Sequence, residues 1–93
     1  MLSILAAGED EKLLSQGMEY LGKFVGTVGE KYKVHVIGPA SASVGKINDI
    51  YHKVIYLKHQ DEKVLMDIKD KAEKYIEINS GFRKLYIQFD YAG

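Results

Sequence analysis

The sequence predicts an α+β domain of order βαββαβ, a two-layer sandwich with a four-stranded sheet and two helices on one of its faces. Two patterns carry this. Apolar residues recur at helical spacing in segments 9–29 and 61–81, and four shorter segments alternate or run apolar in the manner of strands. Two amphipathic helices on one side of a sheet is the simplest way to bury both apolar stripes. A length of 93 residues with 46% hydrophobic content supports one core, so residues 1–93 read as a single domain.

Each element has its own justification. "MLSILAAG" is short, apolar and rich in small residues, as expected of a first strand buried on both sides. In "EDEKLLSQGMEYLGKFVGTVG", Leu14, Met18, Leu21 and Val25 fall on one helical stripe, and Asp10 is placed to cap the start. Gly17 and Gly22 each weaken that helix by roughly 1 kcal/mol relative to alanine, which points to close approach of its backbone to the sheet. Gly26 and Gly29 are expected to end it. "KYKVHVIG" alternates as a second strand, closed by Gly38-Pro39, and Lys46 follows on a loop. "IYHKVIYLKH" is a third strand. Val64, Ile68, Ala72 and Tyr75 form the stripe of a second helix, with Asp61 as cap and Asn79-Ser80-Gly81 as stop. "FRKLYIQFD" makes a fourth strand, with Leu85, Ile87 and Phe89 on one face and Lys84, Tyr86 and Gln88 on the other.

Composition narrows the chemistry. Without cysteine there is neither a disulfide framework nor a thiolate zinc site. No apolar run approaches the ~18 residues that cross a bilayer, and no basic-then-apolar leader opens the chain, so a soluble cytoplasmic domain, or a piece of something larger, is expected. A phosphate loop needs two glycines with four residues between them, then lysine and a hydroxyl. Here six residues separate Gly38 from Gly45-Lys46, and Ile47 stands in place of the hydroxyl. His35, His52 and His59 are isolated from carboxylates at ligand spacing, so no metal or other cofactor is expected. Ser41 and Ser43 have no histidine–acid pair nearby in sequence. Carboxylates on the second helix have lysine neighbours at i,i+4, as Glu73 has Lys69, which suits solvated ion pairs. An acylphosphatase-like enzyme also uses βαββαβ order, but its first loop would bind phosphate, and "AAGED" puts acids there.

The formal net charge of zero is unevenly divided. Residues 31–59 carry lysines 31, 33, 46, 53 and 58 against Asp49 alone, whereas residues 1–30 and 60–93 are net acidic. The third strand interleaves Tyr51, His52, Lys53, Tyr56 and Lys58, and Arg83, Lys84 and Tyr86 add to the pattern from the fourth. Single-strand binders set lysines along the phosphates and aromatic rings beneath the bases, each stacked base contributing ~1 to 3 kcal/mol. The plainer reading is that the lysines shield strand edges and the tyrosines are half-buried.

"GEDEKLLSQGMEYL", "VHVIGPASASVGKINDIYHKVIYLK" and the closing "LYIQFD" together resemble the C-terminal domain of primosomal protein N′ (PriA), the replication-restart DNA helicase. The resemblance covers nearly the whole chain. It implies a non-enzymatic C-terminal fragment of a larger helicase, since the family's ATP-hydrolysing motifs and zinc-binding cysteines lie in earlier domains; Met1 is then a fragment boundary. It also implies an α+β module that packs on the helicase core, contributes to binding forked or single-stranded DNA, and helps hold the acidic tail of single-stranded-DNA-binding protein. The chain departs from the family where Ser41 replaces a second proline, where His52 follows Tyr51 in place of arginine, and where the end reads Gln88-Phe89-Asp90-Tyr91. The tail-contacting arginine of some members falls near Glu62 and Lys63, and Lys63 offers a point charge in place of a planar fork. Lys46, Lys53, Lys58, Arg83 and Lys84 are thus expected to contact phosphates, with Tyr51 or Tyr56 stacking and His52 alongside. Two alternatives are a purely architectural domain docked on the helicase core without DNA, and a ferredoxin-like domain that binds a small molecule, usually as a dimer.

Overall fold

The computed structural model describes residues 1–47 and 49–92, with the backbone alone over 42–47. Its elements are β1 (Leu2–Gly8), α1 (Glu11–Gly29), β2 (His35–Ile47), β3 (Ile50–Lys58), α2 (Glu62–Ile78) and β4 (Tyr86–Tyr91), with 3-10 turns at Glu30–Tyr32 and Ser80–Phe82. The four strands form one antiparallel sheet in the order β2-β3-β1-β4. Each helix therefore crosses over one intervening strand, the double split-βαβ arrangement. The result is the expected two-layer α+β sandwich.

The helical stripes pack where their spacing places them. Leu14, Met18, Leu21 and Val25 of α1 are fully buried, as are Leu65, Ile68 and Ala72 of α2. They meet Leu2, Ile4, Ile55 and Leu57 from the sheet in one core. Burying each such leucine or isoleucine stabilises the fold by about 1.5 to 3 kcal/mol. Between the helices Phe24 stacks on Tyr75 with ring centroids 4.2 Å apart, and Tyr75 meets Phe82 edge-on at 5.8 Å. Both N-caps form as their sequence signals indicate: Asp10 accepts from Lys12 N–H and Leu13 N–H, and Asp61 from Lys63 N–H. At the far end of α2, Asn79 donates its side-chain amide to Tyr75 O at 2.7 Å.

Four expectations need correction. β1 is buried on one face only, because Leu5 on the other face is 38% exposed. The Lys31-Tyr32-Lys33 stretch is not strand. Beyond Gly29 the chain continues in the 3-10 turn and closes with Lys33 N–H on Glu30 O and Val34 N–H on Gly29 O, a Schellman-type stop with Lys33 left-handed at φ 58°. Nor does β2 end at Gly38-Pro39. That cis pair is absorbed as an irregularity: three steps along β2 from Ile37 to Ala40 match two along β3 from Tyr56 to Val54. An edge strand tolerates this, since the missing proline N–H faces away from the ladder. Finally, Arg83 and Lys84 precede β4, because Phe82 is drawn into the core at the end of a 3-10 turn.

Two glycines of α1 do permit close approach. A Cβ on Gly22 would lie 3.0 Å from Pro39 Cδ, and one on Gly17 would lie 2.7 Å from Leu85 Cδ1. Gly38 is more constrained, with φ +99° and the position of a Cβ only 2.7 Å from Val54 O. His59 is a joint: Asp61 N–H donates to its Nδ1 and its Nε2–H donates to Tyr32 O, each at 2.9 Å. The neutral imidazole thereby ties the stop of α1 to the cap of α2.

Gly38→Ala should destabilise the protein by about 2 kcal/mol or more in urea denaturation, since it adds a left-handed side chain and a backbone collision; an unshifted midpoint would contradict the geometry. His59→Leu, which strands two backbone partners, should cost about 1 to 2 kcal/mol in the same assay while leaving the far-ultraviolet circular dichroism unchanged.

Candidate nucleic-acid interface

The register decides which side chains share a face. Ile4 lies opposite Ile55 and Phe89, and Leu2 opposite Leu57 and Tyr91, so these turn toward the helices. Leu5 lies opposite Val54 and Gln88, and Ala7 opposite His52 and Tyr86, so these turn toward the uncovered face. Residues in β3 alternate accordingly. His52, Val54, Tyr56 and Lys58 belong to the open face, whereas Tyr51 and Lys53 share the helix face with Ile55 and Leu57. The aromatic-basic ladder of β3 is therefore two half-ladders on opposite sides of the sheet.

Tyr51 packs against the core, and Lys53, opposite Ala6 and Ser41, is half-buried. One cross-sheet row of the open face, Ala40, Val54, Leu5 and Gln88, carries no charge, and the next, Ile37, Tyr56, Ser3 and Asp90, ends in an exposed carboxylate. Leu5, Ile37 and Tyr86 are exposed there, Tyr86 by 73%. Tyr56 is the half-buried ring at the centre of this face, opposite Ser3 and Ile37.

The basic residues gather instead at the two ends of β3. At its start, the end of β1 and the turn before β4 converge around an open cleft of about 810 Å³, whose walls include His52, Lys84 and Tyr86 and also Glu9 and Asp10. Phe82, anchored against Tyr75, holds the turn that brings Lys84 to this cleft, with the exposed Arg83 beside it in the chain. The Asp10 carboxylate is engaged by the α1 cap, which leaves Glu9 as the acid facing Lys84 across the cleft. Among the described residues, His52 Nδ1 is buried without a hydrogen-bond partner. Lys46 is placed by its backbone opposite Tyr51, in a strand and not in the expected loop, and its side chain lies outside the described residues. Lys58 and Lys63 belong to the other end of the sheet, where β3 passes into α2, and both are exposed.

Electrostatics on the helix layer is local. Lys69 meets Glu73 at 2.6 Å and Lys71 meets Asp67 at 3.0 Å, both i,i+4 pairs. These hydrogen bonds hold both ammonium groups above their usual pKa. Glu73 and Asp67 thus neutralise Lys69 and Lys71, and the basic groups near the ends of β3 stand apart from them. Lys33 and His35 were not among the expected contacts, although they flank Lys58. Reading Lys33 as strand concealed the turn that brings it close to His35, which opens β2 as a strand residue.

Among the described residues no helix is long and apolar enough to cross a membrane, and no three or more potential metal ligands are gathered. No family model and no curated protein matches the sequence. Among solved structures, the de novo designed protein Foldit4 is similar, with a TM-score of 0.68 over 99% of this chain and 96% of that one at 12% identity. That similarity concerns the fold alone.

Proposed function

We propose that this chain is a DNA-contacting and protein-docking module of a replication-restart helicase of the primosomal protein N′ type, acting in the cytoplasm. The observation that carries the DNA part is the placement of Lys84 and His52, with the exposed ring of Tyr86 and with Arg83 next to Lys84 in the chain, at one end of an uncovered sheet. Of the two acids in the same cleft, Asp10 is engaged by its cap and Glu9 restricts phosphate to the Lys84 side. Cations at the margin of an aromatic, unshielded surface are what a single strand needs: charge for the phosphates and a flat ring for a base. Lys46 and Lys53 approach the same end through β2 and β3, and Tyr56 and Lys58 continue along the open face of β3. In this reading the module binds and positions DNA, and ATP hydrolysis belongs to other domains of the parent helicase. Lys63, exposed on the first turn of α2, is the residue proposed to meet the acidic tail of single-stranded-DNA-binding protein.

A second reading has its own observation. The exposed Leu5, Ile37 and Tyr86 on this face, with the uncharged row through Leu5, suit docking on the helicase core without DNA.

Fluorescence anisotropy of a labelled single-stranded oligonucleotide, titrated at several salt concentrations, separates the two. DNA binding through about four phosphates gives a log–log salt slope near −3. The double substitution Arg83→Ala and Lys84→Ala should then make that slope shallower by about 1.4 and weaken binding about 25-fold at ~0.1 M salt. Absence of binding by the unaltered protein at low salt would overturn the DNA reading. Loss of association with the helicase core on Leu5→Arg would then favour docking.

A further inference from the structure

The end of β3 opposite Lys84 holds a second basic group, of which the expected contacts include Lys58 but neither Lys33 nor His35. Lys33 closes the stop of α1, His35 opens β2, and Lys58 ends β3 directly across the ladder from His35. Lys33 and Lys58, with Tyr32, His59 and Gln60, line an open groove of about 570 Å³. Neither lysine is paired with a carboxylate among the described residues. The acids nearest in sequence are Glu30 and Asp61, and Asp61 is committed to capping α2.

Lys33 stands where the backbone favours another residue. The left-handed position of a Schellman stop is normally glycine, because a side chain there costs roughly 1 to 2 kcal/mol. Here φ is 58° and both closing hydrogen bonds are made, yet the residue is lysine. The His59 bridge from Asp61 N–H to Tyr32 O holds the two walls of the groove together. A cation near a helix C-terminus also gains from the helix dipole, so stability by itself does not reveal what the lysine does.

We propose that Lys33 and Lys58, with His35 beside them, form a binding site for a phosphate-type anion. The site deepens the DNA reading above: its phosphate is one of the bound strand's backbone, taken up about six residues along β3, or roughly 20 Å, from His52. Free phosphate or pyrophosphate has the same chemistry and is the other possible source.

Lys33→Gly is the informative substitution, since it relieves the left-handed backbone while removing the charge. Lys58→Gln removes the second charge without touching the turn. Thermal melts accompany anisotropy titrations of a labelled oligothymidylate, and amide chemical shifts are followed with inorganic pyrophosphate. The expected result is a melting temperature for Lys33→Gly equal to or above that of the unaltered protein. Each variant should bind the oligonucleotide about fivefold more weakly at ~0.1 M salt, as loss of one single-strand phosphate contact requires. If the unaltered protein binds the oligonucleotide and both variants bind it equally well, the site is overturned and the DNA reading stands. If the unaltered protein ignores the oligonucleotide while pyrophosphate shifts the amides of Lys33, His35 and Lys58, the DNA reading fails and the groove is a free-anion site. Silence with both probes overturns both.

Discussion

Leu2 opposite Leu57 and Ile4 opposite Ile55 set the register of the two central strands, and this pairing constrains everything outside it. A slip of one residue would turn every apolar side chain of β1 away from the helices. With the register fixed, α1 and α2 have one apolar surface to cover, and the opposite surface is left with Ser3, Leu5 and Ala7 flanked by Val54, Tyr56 and His52. The sandwich is only 16 Å along its shortest axis, the depth of one sheet and one helical layer. An uncovered sheet face is thus a consequence of how the core closes.

The same constraint distributes the charge. On the helix face Lys53 is half-buried beside Ala6, where its ammonium can only reach solvent at the margin. On the open face the middle rows carry no cation and one exposed acid, Asp90, and the basic residues lie where strands begin or end: Arg83 and Lys84 before β4, Lys58 at the end of β3, Lys33 at the stop of α1. A sheet face whose cations lie at its ends can meet a polyanion at its margins and a partner without excess negative charge across the exposed Leu5 and Ile37. That division lets the nucleic-acid and docking readings share one surface.

Much of this was legible in the sequence, for identifiable reasons. The stripe of α1 and the caps Asp10 and Asp61 are local signals and formed where they were read, whereas in α2 Leu65 is fully buried with Ile68 and Ala72, and Val64 and Tyr75 are only partly buried beside them. The faces of β3 were not legible, because both alternating sets mix lysine, tyrosine and aliphatic residues. Only the partners Leu2 and Ile4, about fifty residues earlier in the chain, decide between them. Gly38-Pro39 looks like a strand end because it usually is one; on an edge strand the ladder passes it with one extra residue. Lys31 to Lys33 alternate as a strand would, but hydrogen bonds back to Gly29 and Glu30 claim them for the helix stop. How the candidate residues divide between two faces and two ends was not legible, because that division required the register.

The most direct measurement is a backbone amide shift map of the domain titrated with a short single-stranded oligonucleotide at low salt. The account predicts perturbations at both ends of β3, around residues 51–53 and 58, with residues 83–86 and 33–35, and no change on the outer surfaces of α1 and α2. Perturbations centred on the helix layer, or none anywhere, would contradict it.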